Sequence, residues 1–176
     1  MNLGRSLLAA YFEDGILIWS LSSRTVTRVI MPVHRRIGHA TLSSNEKLVA
    51  VSNLCSGFDV YRLSDGIHLL HFPTAITHNC ILPVMFIHND SVLLCGSSCG
   101  FVALYSINGK KLLQVLHHLG GPIISALAYH KNACQFIATG TAEMNEQTAV
   151  KVWKMSTIAT SNDQVRFRFF LYHFTL

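Results

Sequence analysis

Apolar residues along this chain fall in short alternating runs of about five to eight residues, each closed by a polar or glycine-containing turn, a pattern of β-strands rather than helices. Four of these runs share one design. They are Gly15-Ile-Leu-Ile-Trp19-Ser-Leu-Ser22, Gly57-Phe-Asp-Val-Tyr61-Arg-Leu-Ser64, Gly100-Phe-Val-Ala-Leu-Tyr105-Ser-Ile-Asn108 and Ala149-Val-Lys-Val-Trp153-Lys-Met-Ser156. A small residue opens the strand, and an aromatic is followed by a polar residue, an aliphatic and then Ser or Asn. The aromatics are 42, 44 and 48 residues apart. An apolar strand precedes each of them (7–12, 48–52, 92–95 and 136–139), and the last three have a further strand before that (37–42, 82–87 and 123–129). The first three are followed by an outer strand (25–30, 67–72 and 111–116). Residues 43–47 and 88–90 read as tight polar turns, and Asp65-Gly66 and Asn108-Gly109 as two-residue hairpin turns wanting positive φ. Each unit is thus a four-stranded antiparallel meander of about 45 residues, the period and strand count of a propeller blade.

Composition adds a competing reading. Between residues 66 and 130 the only formal charges are Asp90, Lys110 and Lys111, so 66–89, 91–109 and 112–130 are uncharged stretches of membrane-spanning length. Turn signals interrupt all three: Pro73, Cys99-Gly100 and Gly120-Gly121-Pro122. His68, His71, His78, His88, His117 and His118 would also be costly in hydrocarbon. The chain is therefore expected to have no transmembrane segment. Five cysteines without framework spacing, and no secretory signal, point to a reducing, cytoplasmic setting that leaves the nucleus open. Net charge is +5, but no run of five or more like charges exists, which argues against a nucleic-acid partner.

The repeat resembles the WD-repeat (transducin β-like) propeller family over residues 5–156. Trp19 and Trp153 stand at the family's tryptophan, and Tyr61 and Tyr105 substitute for it. All four are read as structural blade aromatics, packed between neighbouring blades. The departures are specific. Ser20, Arg62, Ser106 and Lys154 replace the Asp after the tryptophan, and the acid before the tryptophan strand survives only as Asp14. Gly38-His39 falls inside a strand, and His118 matches the family's histidine only approximately, so the family's hydrogen-bonded Ser-His-Asp-Trp network is expected to be mostly missing.

The expected fold class is all-β, a partial propeller of about three and a half four-stranded blades, against the four to eight that a ring needs. Residues 1–157 are assigned to blades. Residues 158–176 either supply a last strand, with alternation over 165–169, or lie outside the ring. A blade cannot bury both faces without a neighbour on each side, so open faces should be sticky and favour self-association.

Catalytic chemistry is not legible. The nine acids are dispersed, and there is no nucleophile elbow or phosphate loop. No metal or cofactor is expected: Cys95 and Cys99 are too loosely spaced for a zinc knuckle, and His117-His118 point opposite ways on a strand. The resemblance implies a non-catalytic scaffold whose loops bind protein or peptide partners. Candidate contacts are Arg35, Arg36, His78, Asn79, His117 and His118, with Glu143, Met144, Asn145 and Glu146 in the insertion before the fourth aromatic strand. Two other readings stand beside it. Arg35-Arg36 would suit a phosphoinositide-bearing membrane surface, and a truncated propeller would have no activity of its own.

Overall fold

The computed structural model describes residues 5–77, 80–142, 148–158 and 166–175, and only the backbone within 156–158 and 166–175. These residues form strands and no helix. The first sheet holds β1 (Ser6–Tyr11), β2 (Gly15–Ser20) and β3 (Thr25–Ile30). The second holds β4 (His39–Leu42), β5 (Leu48–Ser52), β6 (Gly57–Arg62) and β7 (His68–Pro73). The third holds β8 (Val84–Ile87), β9 (Val92–Cys95), β10 (Phe101–Ser106) and β11 (Lys111–His117). The fourth holds β12 (Ile124–Lys131), β13 (Gln135–Thr141), β14 (Ala149–Ile158) and β15 (Arg166–Thr175). Every sheet is an antiparallel meander in chain order, as a partial propeller requires. β15 pairs with β14 from Ile158↔Arg166 to Ala149↔Thr175.

The four aromatics occupy one register. Each lies on the strand before the outermost one, opposite an aliphatic of its inner neighbour: Leu7↔Trp19, Val49↔Tyr61, Leu93↔Tyr105 and Ile137↔Trp153. A bulge interrupts pairing to the outer strand just before the aromatic in the first three sheets, at Ile18/Trp19, Val60/Tyr61 and Leu104/Tyr105. In the fourth sheet the same ladder runs on through Trp153↔Leu171.

Alternation sends the aromatic backward, onto the preceding sheet, and the residues one and three places before it forward, onto the following one. Tyr61 and Val49 pack with Ile16, Ile18 and Ile30 of the first sheet. Tyr105, Leu93 and Ala103 pack with Ala50, Phe58, Val60 and Phe72 of the second, where Phe72 and Tyr105 stack at 4.6 Å. Trp153 and Ile137 pack with Leu94, Val102, Leu104 and Leu116 of the third. These three layers are the core. Each fully buried large aliphatic or aromatic contributes about 1.5–3 kcal/mol.

A buried aromatic with a polar tip needs a hydrogen-bond partner, and the chain meets the need in two ways. The Tyr61 hydroxyl accepts the Val33 N–H at 3.1 Å, and the Tyr105 hydroxyl donates to the Pro73 carbonyl at 2.9 Å. The first reaches the connection arriving from the preceding sheet, and the second the end of that sheet's outer strand β7. The Trp153 indole instead donates to Thr139 Oγ1 at 3.0 Å, and His118 Nε2 lies 2.8 Å from that same oxygen. The Thr139 hydroxyl hydrogen turns toward the Lys151 carbonyl at 3.4 Å, which uses the group's one hydrogen and two lone pairs. Among the described residues the family-type network is therefore mostly missing, as expected, and one part of it is present. His118, Thr139 and Trp153 form its His-hydroxyl-Trp part in the fourth sheet.

The turns into the outer strands correct the expected two-residue hairpins. They span four or five residues, and the left-handed position is the fifth after the aromatic: Arg24 (φ 56), Gly66 (φ 76) and Lys110 (φ 50). Asp65-Gly66 meets this with its glycine. Asn108-Gly109 does not, because the positive φ falls one residue later, on Lys110.

Two outcomes follow from these contacts. Burial pushes the Tyr61 phenol from 10.0 up to about 12; the Val33 N–H opposes the shift and the Asp59 charge adds to it. The unfolded chain loses this proton first, so stability should fall as pH rises from about 10 to about 12. Tyr61→Phe should flatten part of that alkaline decline in a series of urea midpoints against pH. Thr139→Val should lower stability by about 1–3 kcal/mol for each buried group it strands, whereas Thr139→Ser should retain most of it. Urea denaturation of the two variants checks this.

Candidate functional site

A meander alternates its turns between two ends of the sheet. The turns leading into the aromatic strands, and the connections from one sheet to the next, therefore emerge together at one end and form a rim. Backbone hydrogen bonds tie neighbouring stations of that rim. Ile37 N–H donates to the Phe12 carbonyl at 3.1 Å and Gly38 N–H to Ser52 at 2.9 Å. Thr74 N–H donates to the Ser56 carbonyl at 2.9 Å, His118 N–H to Gly100 at 2.7 Å and Ala142 N–H to Ile123 at 3.1 Å. Thr77 N–H reaches Ser98 Oγ at 2.9 Å. The far end is pinned by Asp90, whose carboxylate accepts from Ser44 N–H, Ser44 Oγ and Asn45 N–H at 2.8, 2.7 and 3.0 Å.

The candidate contacts that the structure describes, Arg35, Arg36, His117 and His118, fall at different stations of the rim. Arg35 and Arg36 are exposed on the connection between the first and second sheets, with the Arg36 guanidinium 5.8 Å above the Phe12 ring. His117 is exposed at the end of β11, and its carbonyl accepts a 2.9 Å bond from Lys151 Nζ. His118 is only 5% exposed and is held by Thr139, so its imidazole is structural rather than part of the accessible surface. Adjacent residues of a strand face opposite ways, and of this pair His118 faces inward. His78 and Asn79, and the insertion residues Glu143, Met144, Asn145 and Glu146, lie outside the described residues.

One polar cluster was not anticipated. Asp59, on β6, is 1% exposed on the face turned toward the first sheet. Its Oδ1 lies 3.0 Å from His68 Nε2 and 2.8 Å from His71 Nδ1, while Oδ2 accepts from Asn53 Nδ2 at 2.9 Å. A carboxylate has only acceptors, so both imidazoles present an N–H to it, from opposite ring nitrogens. Such pairing is what makes a buried acid tolerable. His68 and His71 are three residues apart and would normally face opposite sides of a strand. The bulge at Val60/Tyr61 leaves one residue of β7 unpaired and brings both to the same side. The His34 ring stands 6.3 Å from His71.

Along the inner strands β4, β8 and β12, a groove of about 210 Å³ is lined by His39, Pro83, Val84, Met85, Ala126 and Leu127. Burial lowers the His39 pKa from 6.5, favouring the neutral ring. Among the described residues no group of three or more His, Cys, Asp or Glu has an arrangement that could hold a metal ion. The cysteines are free thiols, and burial drives the Cys95 thiol well above its ordinary range. No helix among the described residues is long and apolar enough to cross a membrane.

No family profile and no curated protein matches the sequence. Solved structures do match the fold. The WD40 repeats of RRP9 superpose with a TM-score of 0.67 at 17% identity, over 85% of this chain and 44% of that one. A computationally designed protein, Ika8, superposes with a TM-score of 0.65 at 18% identity, over 85% of this chain and 43% of that one. The chain thus spans less than half the length of these solved chains. Its architecture is that of a partial, WD40-like β-propeller.

Proposed function

We propose that this chain is a non-catalytic scaffold that presents its loop rim to an acidic protein or peptide segment. The observation that carries this reading is the pairing of rigidity with exposed positive charge. Arg35 and Arg36 stand adjacent and exposed on a connection whose next residues, Ile37 and Gly38, are hydrogen-bonded to both flanking sheets. A guanidinium held on a stiff support loses little freedom when it pairs with a carboxylate. His117 adds a second exposed polar station further along the rim. The likeness to WD40 repeats supports a propeller-type interaction scaffold. The insertion residues Glu143–Glu146 and the pair His78-Asn79 belong to the same proposed surface by their place in the meander.

The paired arginines also favour a second reading, a lipid phosphate at a membrane surface. A labelled glutamate-rich peptide and vesicles with and without phosphoinositide distinguish the two. Replacing Arg35, Arg36 and His117 together by Ala should leave the thermal melt unchanged, because all three are exposed, and weaken peptide binding by about tenfold or more. Unchanged peptide affinity would remove the surface assignment. Vesicle co-sedimentation that depends on the arginines, with no peptide binding, would select the lipid reading.

A further inference from the structure

The three junctions between sheets are built on one set of equivalent positions. The backward face of a sheet offers the aromatic, the residue two places before it and its cross-strand partner. These are Tyr61, Asp59 and Val49 in the second sheet, Tyr105, Ala103 and Leu93 in the third, and Trp153, Lys151 and Ile137 in the fourth. All nine are buried. The forward face offers the residues one and three places before the aromatic and an inner partner: Ile18, Ile16 and Leu8, then Val60, Phe58 and Ala50, then Leu104, Val102 and Leu94. Eight of these nine are buried, and Leu8 is half-buried.

The same positions recur at the two ends of the row, where no neighbour lies against them among the described residues. The backward face of the first sheet carries Trp19, Leu17 and Leu7, where Trp19 and Leu17 are only half-buried and Leu7 is 54% exposed. Val26, Val29 and Tyr11 extend it and are exposed as well. The forward face of the fourth sheet carries Val152, Val150 and Ala138, all half-buried. One chain therefore holds both halves of the junction it already makes three times. The two halves also suit each other in size. Val152, Val150 and Ala138 are the smallest forward set in the chain, and Trp19, Leu17 and Leu7 form a bulky, uncharged backward set.

We infer that two copies of this chain join head to tail, the forward face of each fourth sheet on the backward face of the other copy's first sheet, closing one ring of eight sheets. Two copies of four sheets fall within the range that propellers close with. The matched solved chains also carry more than twice the length aligned to this one. The inference rests on the fold and is independent of what the rim binds.

Sedimentation equilibrium and light scattering on the full chain at tens of micromolar should give twice 19.6 kDa. A monomer, or an open-ended polymer, overturns the closed pair. Trp19→Glu spoils only the backward face and Val152→Glu only the forward face. Each variant alone should be monomeric, with self-association weakened by about 100-fold or more. Mixing them should restore a dimer, because the Trp19→Glu chain keeps its forward face and the Val152→Glu chain its backward face. A Val152→Glu protein that still dimerises alone would show like-to-like pairing and reject the head-to-tail junction, as would failure of the mixture to dimerise. If either variant loses its far-UV β signal, Leu7→Lys and Ala138→Lys make the same test at the edges of the two faces.

Discussion

Everything in this molecule depends on sheets stacked face to face, each after the first inserting one aromatic into the sheet before it. An isolated four-stranded meander with two apolar faces cannot stay in water; its faces must be covered by its neighbours. Tyr61, Tyr105 and Trp153 each bring a large apolar surface with a polar tip into that layer. The tip fixes more than burial alone would. Tyr61 ties the incoming connection at Val33, Tyr105 ties the end of β7 at Pro73, and Trp153 ties Thr139 and, through it, His118. The same contacts that cement the sheets therefore also position the connections that form the rim.

The first sheet shows what the aromatic does by lacking its partner. Trp19 has the register of the other three, with Leu7 opposite it and a bulge beside it. It remains half-buried because nothing among the described residues lies against its face. Local sequence can prepare a junction, but only a neighbouring sheet can complete it. That distinction separates the three closed layers from the two open ones.

Charge inside the stack follows a stricter rule. Asp59 and Lys151 occupy equivalent backward-face positions, two residues before their aromatics, and both are buried. Asp59 is satisfied by His68, His71 and Asn53, and Lys151 by the His117 carbonyl and the face of Trp153 at 5.8 Å. Burial lowers the Lys151 pKa, the cost of holding an ammonium there. His68, His71 and His117 come from outer strands, so the periphery of a sheet secures the core of the junction.

Sequence alone determined the strands β1 to β14, their order in each meander and the equivalence of Trp19, Tyr61, Tyr105 and Trp153, and left β15 open. All of these rest on two-residue alternation and a repeated spacing, which are local or periodic properties of the chain. It also pointed to open faces, because a short row of blades has two ends. Tertiary structure decided the rest. It buried His118 while leaving His117 exposed, since only the packed fourth sheet determines which of two alternating neighbours meets Trp153. It gathered Asp59, His68 and His71, because a bulge shifts the phase of β7 by one residue and nothing in the local pattern announces where that shift falls. It placed the left-handed residue on Lys110 rather than Gly109, since the turn length is set by the strands it must join.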